Sequence, residues 1–82
     1  MKQQPFEQLH APFWTALDAD LALLEARKPL PAERASDFPA RYRALCQHLA
    51  LARARHYSPA LAARLNSLAL RGHQQLYRAG RP

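Results

Sequence analysis

Prolines divide the sequence into three stretches, and within each stretch apolar residues recur at three- and four-residue steps. The third stretch shows the pattern most clearly, with Leu61, Leu65, Leu68, Gly72 and Leu76. Such steps place side chains along one face of an α-helix. The chain contains no valine and no isoleucine, so it lacks the β-branched runs typical of strands. We therefore predict one all-α domain over 1–82, a small antiparallel three-helix bundle.

The first helix is predicted over about 11–27. Pro12 suits a position in its first turn, because proline lacks the N–H that a helix interior requires. If Pro12 only kinks the helix, the helix could extend back to Phe6. Two further prolines interrupt the chain after the first helix, which predicts a linker over about 28–36.

The second and third helices are each predicted to begin at a serine cap. Ser36 would cap a helix over about 37–55, with Pro39 in its first turn. Ser58 would cap a helix over about 59–79, with a proline at the first helical position.

The predicted core combines the apolar faces of the three helices, with Trp14 at the edge of its stripe. Gly72 also falls on a buried face, where it costs about 1 kcal/mol relative to alanine. We expect it to admit the close approach of a neighbouring helix, or of a bulky ring such as Trp14 or Phe38. The predicted core residues are Phe13, Trp14, Leu17, Leu21, Leu24, Phe38, Tyr42, Leu45, Leu49, Leu61, Leu65, Leu68 and Leu76.

The charges of the two halves differ in sign. Residues 1–40 hold four Lys or Arg and six Asp or Glu, a net of −2, whereas residues 41–82 hold eight arginines and no acid, a net of +8; the sum is the chain's +6. Such a basic half favours anionic partners: nucleic acid, an acidic lipid surface or an acidic protein.

The arginines of this half form two rows at seven-residue spacing, which nearly repeats the same direction on a helix. Viewed along the helix axis, each row is rotated by about 80° from the line of core residues on its own helix, and the direction of rotation is the same in both helices. If the two helices pack antiparallel, both rows lie on one side of the pair and form a basic face. The rows are Arg41, His48 and Arg55 on the second helix, and Arg64, Arg71 and Arg78 on the third.

Two plainer interpretations of the basic face stay open. The rows could be ordinary solvated flanks whose aliphatic stems shield the core edge. Alternatively, Glu7, Asp18 and Glu25 fall on one side of the first helix and could pair with some of these arginines, each pair contributing about 0–1 kcal/mol.

Leu70 and Tyr77 lie opposite the core line of the third helix. A three-helix domain buries one stripe of each helix, so these two side chains are predicted to be exposed. They are either ordinary surface residues or a docking patch for a partner protein or a second copy of the chain.

The sequence offers no convincing catalytic, cofactor or metal site. The four histidines have no recognised zinc spacing, and the single Cys46 provides no second thiol. Sequence-specific DNA recognition is disfavoured, because the start of the third helix is nearly all apolar or alanine, where base-reading polar residues would be expected. Nonspecific nucleic-acid binding by a stand-alone basic module remains the alternative function.

Three segments, "MKQQPFEQLHAPFW", "RYRALCQHLALARARHYSPAL" and "RLNSLALRGHQQLYR", resemble the amino-terminal region of the bacterial stage II sporulation protein M family. Members of that family are integral membrane proteins, and this sequence departs from the full pattern because it contains no span. The resemblance implies the soluble, non-catalytic, membrane-proximal interaction domain of such a protein. It would lie at the cytoplasmic face of the inner membrane, beside its own membrane-spanning region, with arginines near acidic lipid headgroups.

Overall fold

The computed structural model describes residues 2–79, which form three helices: α1 (Gln3–Glu25), α2 (Ala32–Ala54) and α3 (Pro59–Ala79). Within this range there is no β-strand. The helices pack around one apolar core, so the prediction of an all-α three-helix bundle is confirmed.

Contacts at the helix ends define the topology. Gln3, at the start of α1, exchanges two hydrogen bonds with Ser58, just before α3: the Ser58 N–H donates to Gln3 Oε1 at 2.8 Å, and Gln3 Nε2 donates to Ser58 Oγ at 3.0 Å. Asp20, near the end of α1, contacts Arg34 near the start of α2. Thus α1 and α3 run parallel, and α2 runs antiparallel to both.

The predicted start of α1 near residue 11 is wrong, because the helix begins at Gln3 and contains Pro12 in its interior. Phe6 explains the extension: its side chain is buried against the rings of Trp14 and Tyr57, which stabilises the additional turns. Pro12 lies on the exposed side, where water can satisfy the Gln8 carbonyl that loses its helical donor.

The predicted start of α2 at 37 is also wrong. Pro31, with φ −52° and ψ 149°, is the N-cap, and the helix begins at Ala32. Ser36 is therefore an exposed residue inside α2, and Pro39 lies in its interior. The linker correspondingly shortens from 28–36 to 26–31.

The predicted cap of α3 is confirmed. Ser58 Oγ accepts a hydrogen bond from the backbone N–H of Leu61 at 3.3 Å, which satisfies one of the unpaired donors of the first turn. The bounds predicted for this helix agree with those of α3.

Both α1 and α2 end in left-handed residues that are not glycine. Arg27 has φ 59° and His56 has φ 55°. Beyond them, Lys28 N–H bonds to the Leu23 carbonyl and Tyr57 N–H to the Ala52 carbonyl, each at 2.9 Å. This is the Schellman arrangement, which normally favours glycine at the left-handed position.

The core differs from the predicted set at its margins. Trp14 is fully buried in the core rather than at its edge. Four other predicted core residues are only partly buried: Phe13, Leu24, Tyr42 and Leu76. Gly72 does face a ring, but the ring belongs to Tyr42 rather than to Trp14 or Phe38. The buried apolar residues are Phe6, Trp14, Leu17, Leu21, Phe38, Leu45, Leu49, Ala52, Leu61, Leu65, Leu68 and Ala69.

Candidate functional site

Both basic rows line the side of the α2–α3 pair that α1 covers. Arg41 is the first residue of the α2 row. Its Nη2 donates to Asp20 Oδ2 at 2.8 Å and to the Arg34 carbonyl at 3.2 Å. Arg34 Nε also reaches Asp20 Oδ2, at 3.2 Å. Asp20 is only 4% exposed, so its charge is buried between two guanidinium groups of α2. Such a charge requires paired partners to remain in the interior.

Arg71, in the middle of the α3 row, binds two carboxylates of α1. Its Nε and Nη2 donate to the two oxygens of Glu25 at 2.9 Å each, and its Nη1 donates to Asp18 Oδ1 at 2.7 Å. The bidentate bond from Arg71 lowers the pKa of the Glu25 carboxyl, and the same bonds raise the pKa of Arg71. The interpretation in which acids of the first helix pair with the arginines is therefore confirmed for this residue.

Arg78 and Arg64 also contact α1, without a carboxylate. Arg78 Nη2 donates to the Leu24 backbone carbonyl at 3.2 Å, where the last carbonyls of α1 lack helical donors. The Arg64 guanidinium lies 5.5 Å from the centroid of the Trp14 ring, within the range of a cation–π contact.

His48 is a packing residue rather than a surface cation. Trp14 Nε1 donates to His48 Nδ1 at 2.9 Å, and the ring of His10 lies 4.0 Å from that of His48 between centroids. Burial lowers the pKa of His48, and the neighbouring His10 lowers it further. A neutral imidazole with an accepting Nδ1 fits these contacts.

Arg55 ends the α2 row and is exposed, with Nη1 3.4 Å from the Tyr57 hydroxyl. The predicted common side of the two rows is thus confirmed by the contacts that five of the six residues make with α1. Contact of the rows with an external anion stays a prediction.

The predicted patch on α3 lies away from these rows. Leu70 and Tyr77 are each 58% exposed. The ring of His73 stacks on that of Tyr77, with centroids 6.5 Å apart and planes inclined by 20°. The outer face of α3 therefore presents an aliphatic side chain and an aromatic pair to solvent.

Metal and membrane features are lacking in the part of the chain that the structure describes. No three His, Cys, Asp or Glu side chains in residues 2–79 lie close enough together to hold a metal ion. No helix in the same range combines the length and apolar character needed to cross a bilayer. Cys46 is a free, partly buried thiol.

Sequence reasoning missed Asp20 and Gln75, the two polar residues that are buried in the part of the chain that the structure describes. Both carried a signal. Asp20 follows Leu17 by three residues, and Gln75 follows Gly72 by three, so each falls on an apolar line. A polar residue on a buried line indicates either a partner or a site, and Asp20 has partners in Arg34 and Arg41.

Comparison with known proteins places the chain in a family. The family model DUF8413, described as a domain of unknown function, matches residues 4–78. The chain belongs to this family. The match covers all of α2 and α3 to Arg78 and nearly all of α1. Searches of curated proteins and of solved structures found no match.

Proposed function

We propose that this DUF8413 domain is a non-catalytic interaction domain that binds an acidic partner protein through the outer face of α3. The observation that carries the proposal is the exposure of Leu70 and Tyr77 on that face, each at 58%. Tyrosine and other aromatic residues are enriched in protein interfaces. Burying this face against a partner would remove apolar surface from water, the main driving force of association.

Charge supports an acidic partner. Residues 41–79 contain seven arginines and no acid, and within this range only Arg41 and Arg71 form ion pairs with carboxylates. The unpaired positive charge would speed the encounter with an acidic surface.

A capture experiment tests the proposal. The tagged domain would be used to capture proteins from its own cells, and a candidate partner would then be purified and its Kd measured. We expect the Leu70→Ser/Tyr77→Ser variant to weaken that Kd at least tenfold. Leu9→Ser is the matched control, because Leu9 is 62% exposed on α1, and it should bind normally. A partner that binds the parent domain, the Leu70→Ser/Tyr77→Ser variant and the Leu9→Ser variant with equal affinity would contradict the proposal.

We further propose that the domain lies next to a membrane. The resemblance to the stage II sporulation protein M family supports placement at the cytoplasmic face of the bacterial inner membrane, beside a membrane-spanning region. The arginines without carboxylate partners support contact with acidic headgroups, each contributing about 1 kcal/mol near the surface. The same charges support the alternative, nonspecific binding of nucleic acid, which salt weakens strongly.

Flotation with acidic vesicles and titration with duplex DNA separate these two alternatives. The membrane proposal expects flotation without comparable DNA affinity, and it expects Arg55→Gln/Arg64→Gln to reduce flotation. Arg43→Gln/Arg53→Gln removes the same charge elsewhere and serves as the control. Salt-sensitive DNA binding without flotation would favour the nucleic-acid alternative.

A further inference from the structure

A groove lies at the end of the bundle where α1 ends, α2 begins and α3 ends. Its volume is about 320 Å³, at the lower end of the range of ligand sites. The side chains that matter to its chemistry are four apolar ones, Leu24, Leu30, Phe38 and Leu76, and two polar ones, Gln75 and Arg78.

Gln75 is the unusual member of this lining. It is only 8% exposed, yet its carboxamide makes no hydrogen bond to any other residue in the described range. In that range no side-chain polar atom that is fully buried lacks a partner, so both polar atoms of the carboxamide keep some contact with solvent, and Gln75 lines the groove. An amide has both a donor and an acceptor to offer there.

Arg78 supplies a positive charge beside the same groove. One of its N–H groups donates to the Leu24 carbonyl, and a guanidinium has five such donors. Arg78 is exposed and forms no ion pair with a carboxylate within residues 2–79. The groove therefore combines an apolar wall, an unpaired amide and an available guanidinium.

We propose that this groove binds an extended peptide segment of a partner protein, in which a large aliphatic residue precedes an acidic one. The aliphatic side chain fills the apolar part of the groove. The peptide group beside it both accepts from and donates to the Gln75 carboxamide, and the acidic side chain binds the Arg78 guanidinium, which favours carboxylates.

The unpaired amide favours a peptide over a lipid acyl chain. A hydrocarbon tail would cover Gln75 without offering a donor or an acceptor, and burying an unpaired amide is unfavourable. A peptide group carries both. The proposed site is separate from Leu70 and Tyr77, so it does not depend on the function proposed for the outer face of α3.

Two-dimensional ¹H–¹⁵N NMR titration of the whole chain tests this inference. The probes are blocked hexapeptides of glycine with a central leucine, isoleucine or methionine followed by aspartate, added to about 5 mM so that millimolar affinities are visible. We expect saturable shifts in the Gln75 side-chain NH₂ signals and in the backbone signals of Leu30, Phe38 and Leu76. A peptide with alanine in place of the central residue should produce none.

Two variants in the groove, one control variant outside it and a set of asparagine peptides assign the contacts. Gln75→Met keeps the size and helix propensity of the side chain but removes the amide, and it should weaken peptide affinity about tenfold while leaving thermal stability at or above that of the parent. Arg78→Gln should weaken the aspartate peptides and leave the corresponding asparagine peptides unchanged. Leu70→Ser, outside the groove, should bind as the parent does.

Three results would overturn the inference. The first is the absence of groove shifts with every peptide. The second is undiminished binding by Gln75→Met. The third is saturable binding of decanoate at the groove with no response to the peptides, which would make the occupant an acyl chain.

Discussion

Gly72 lies where any side chain would collide with a ring. A Cβ at this position would lie 2.7 Å from Tyr42 Cδ1 and 3.1 Å from Cε1, closer than van der Waals contact permits. Helix propensity alone would favour Gly72→Ala by about 1 kcal/mol, but overpacking typically costs about 1–3 kcal/mol. We expect the variant to lower the free energy of unfolding by about 1 kcal/mol in urea denaturation.

The Tyr42→Ala background is the control for this prediction. With the ring removed, the added methyl group has space, and Gly72→Ala should become stabilising by helix propensity. An equal loss of stability in both backgrounds would show that Tyr42 is not the obstacle.

The partly buried imidazole of His48 makes stability depend on pH. Its pKa is below the ordinary 6.5 in the folded chain because of burial and the neighbouring His10. Below that ordinary value the unfolded chain binds a proton that the folded chain resists, so stability is complete above about pH 6.5 and is lost as the pH falls. We expect the free energy of unfolding to decrease between about pH 7 and pH 5.

His48→Gln tests the source of that loss, because glutamine can still accept the Trp14 hydrogen bond but does not titrate. The variant should show a shallower dependence on pH than the parent. His73→Gln, at an exposed position, should keep the parent's slope. If all three slopes are the same, His48 does not cause the dependence.

At the scale of the helices, the two Schellman ends are under strain that glycine would remove. Arg27 and His56 are exposed and left-handed, a conformation that costs a residue with a Cβ about 1–2 kcal/mol. Arg27→Gly and His56→Gly should each raise the free energy of unfolding by about 0.5–1 kcal/mol, after the greater entropy of unfolded glycine is allowed for.

Arg43→Gly is the comparison for these two variants, because Arg43 is exposed in the interior of α2. There glycine should lower stability by about 1 kcal/mol in thermal or urea unfolding. A loss of stability at all three positions would contradict the strain at the helix ends.

The first residues of the helices show which helix starts the sequence predicted correctly and why another was wrong. Ser58 is followed by proline at the first position of α3, and local signals were sufficient there. At Pro12 local chemistry predicted a start, but packing overrode it, because Phe6 finds a buried position among aromatic rings of α1 and Tyr57. That partner is distant in the sequence, and no local spacing indicates it.

At the scale of the whole molecule, the rotation per residue of an α-helix correctly predicted that both basic rows lie on one side of the α2–α3 pair. It did not place α1 on that side. Each row flanks a core line, so the rows border the surface into which a third apolar helix packs. The pairing of Arg71 with Asp18 and Glu25 was one of the interpretations that the sequence left open. The contact of Arg41 with Asp20 and the groove lined by Gln75 arise only when all three helices are assembled, which is why sequence patterns did not predict them.

The central claim is that α1 packs between the two basic rows, and nuclear Overhauser spectroscopy of the ¹⁵N-labelled chain tests it most directly. We predict cross-peaks from the Trp14 indole N–H to the His48 ring and from the Arg71 Nε–H to Glu25, with both protons slow to exchange with water. Rapid exchange of both protons and the absence of these cross-peaks would show the rows open to solvent and would contradict the account.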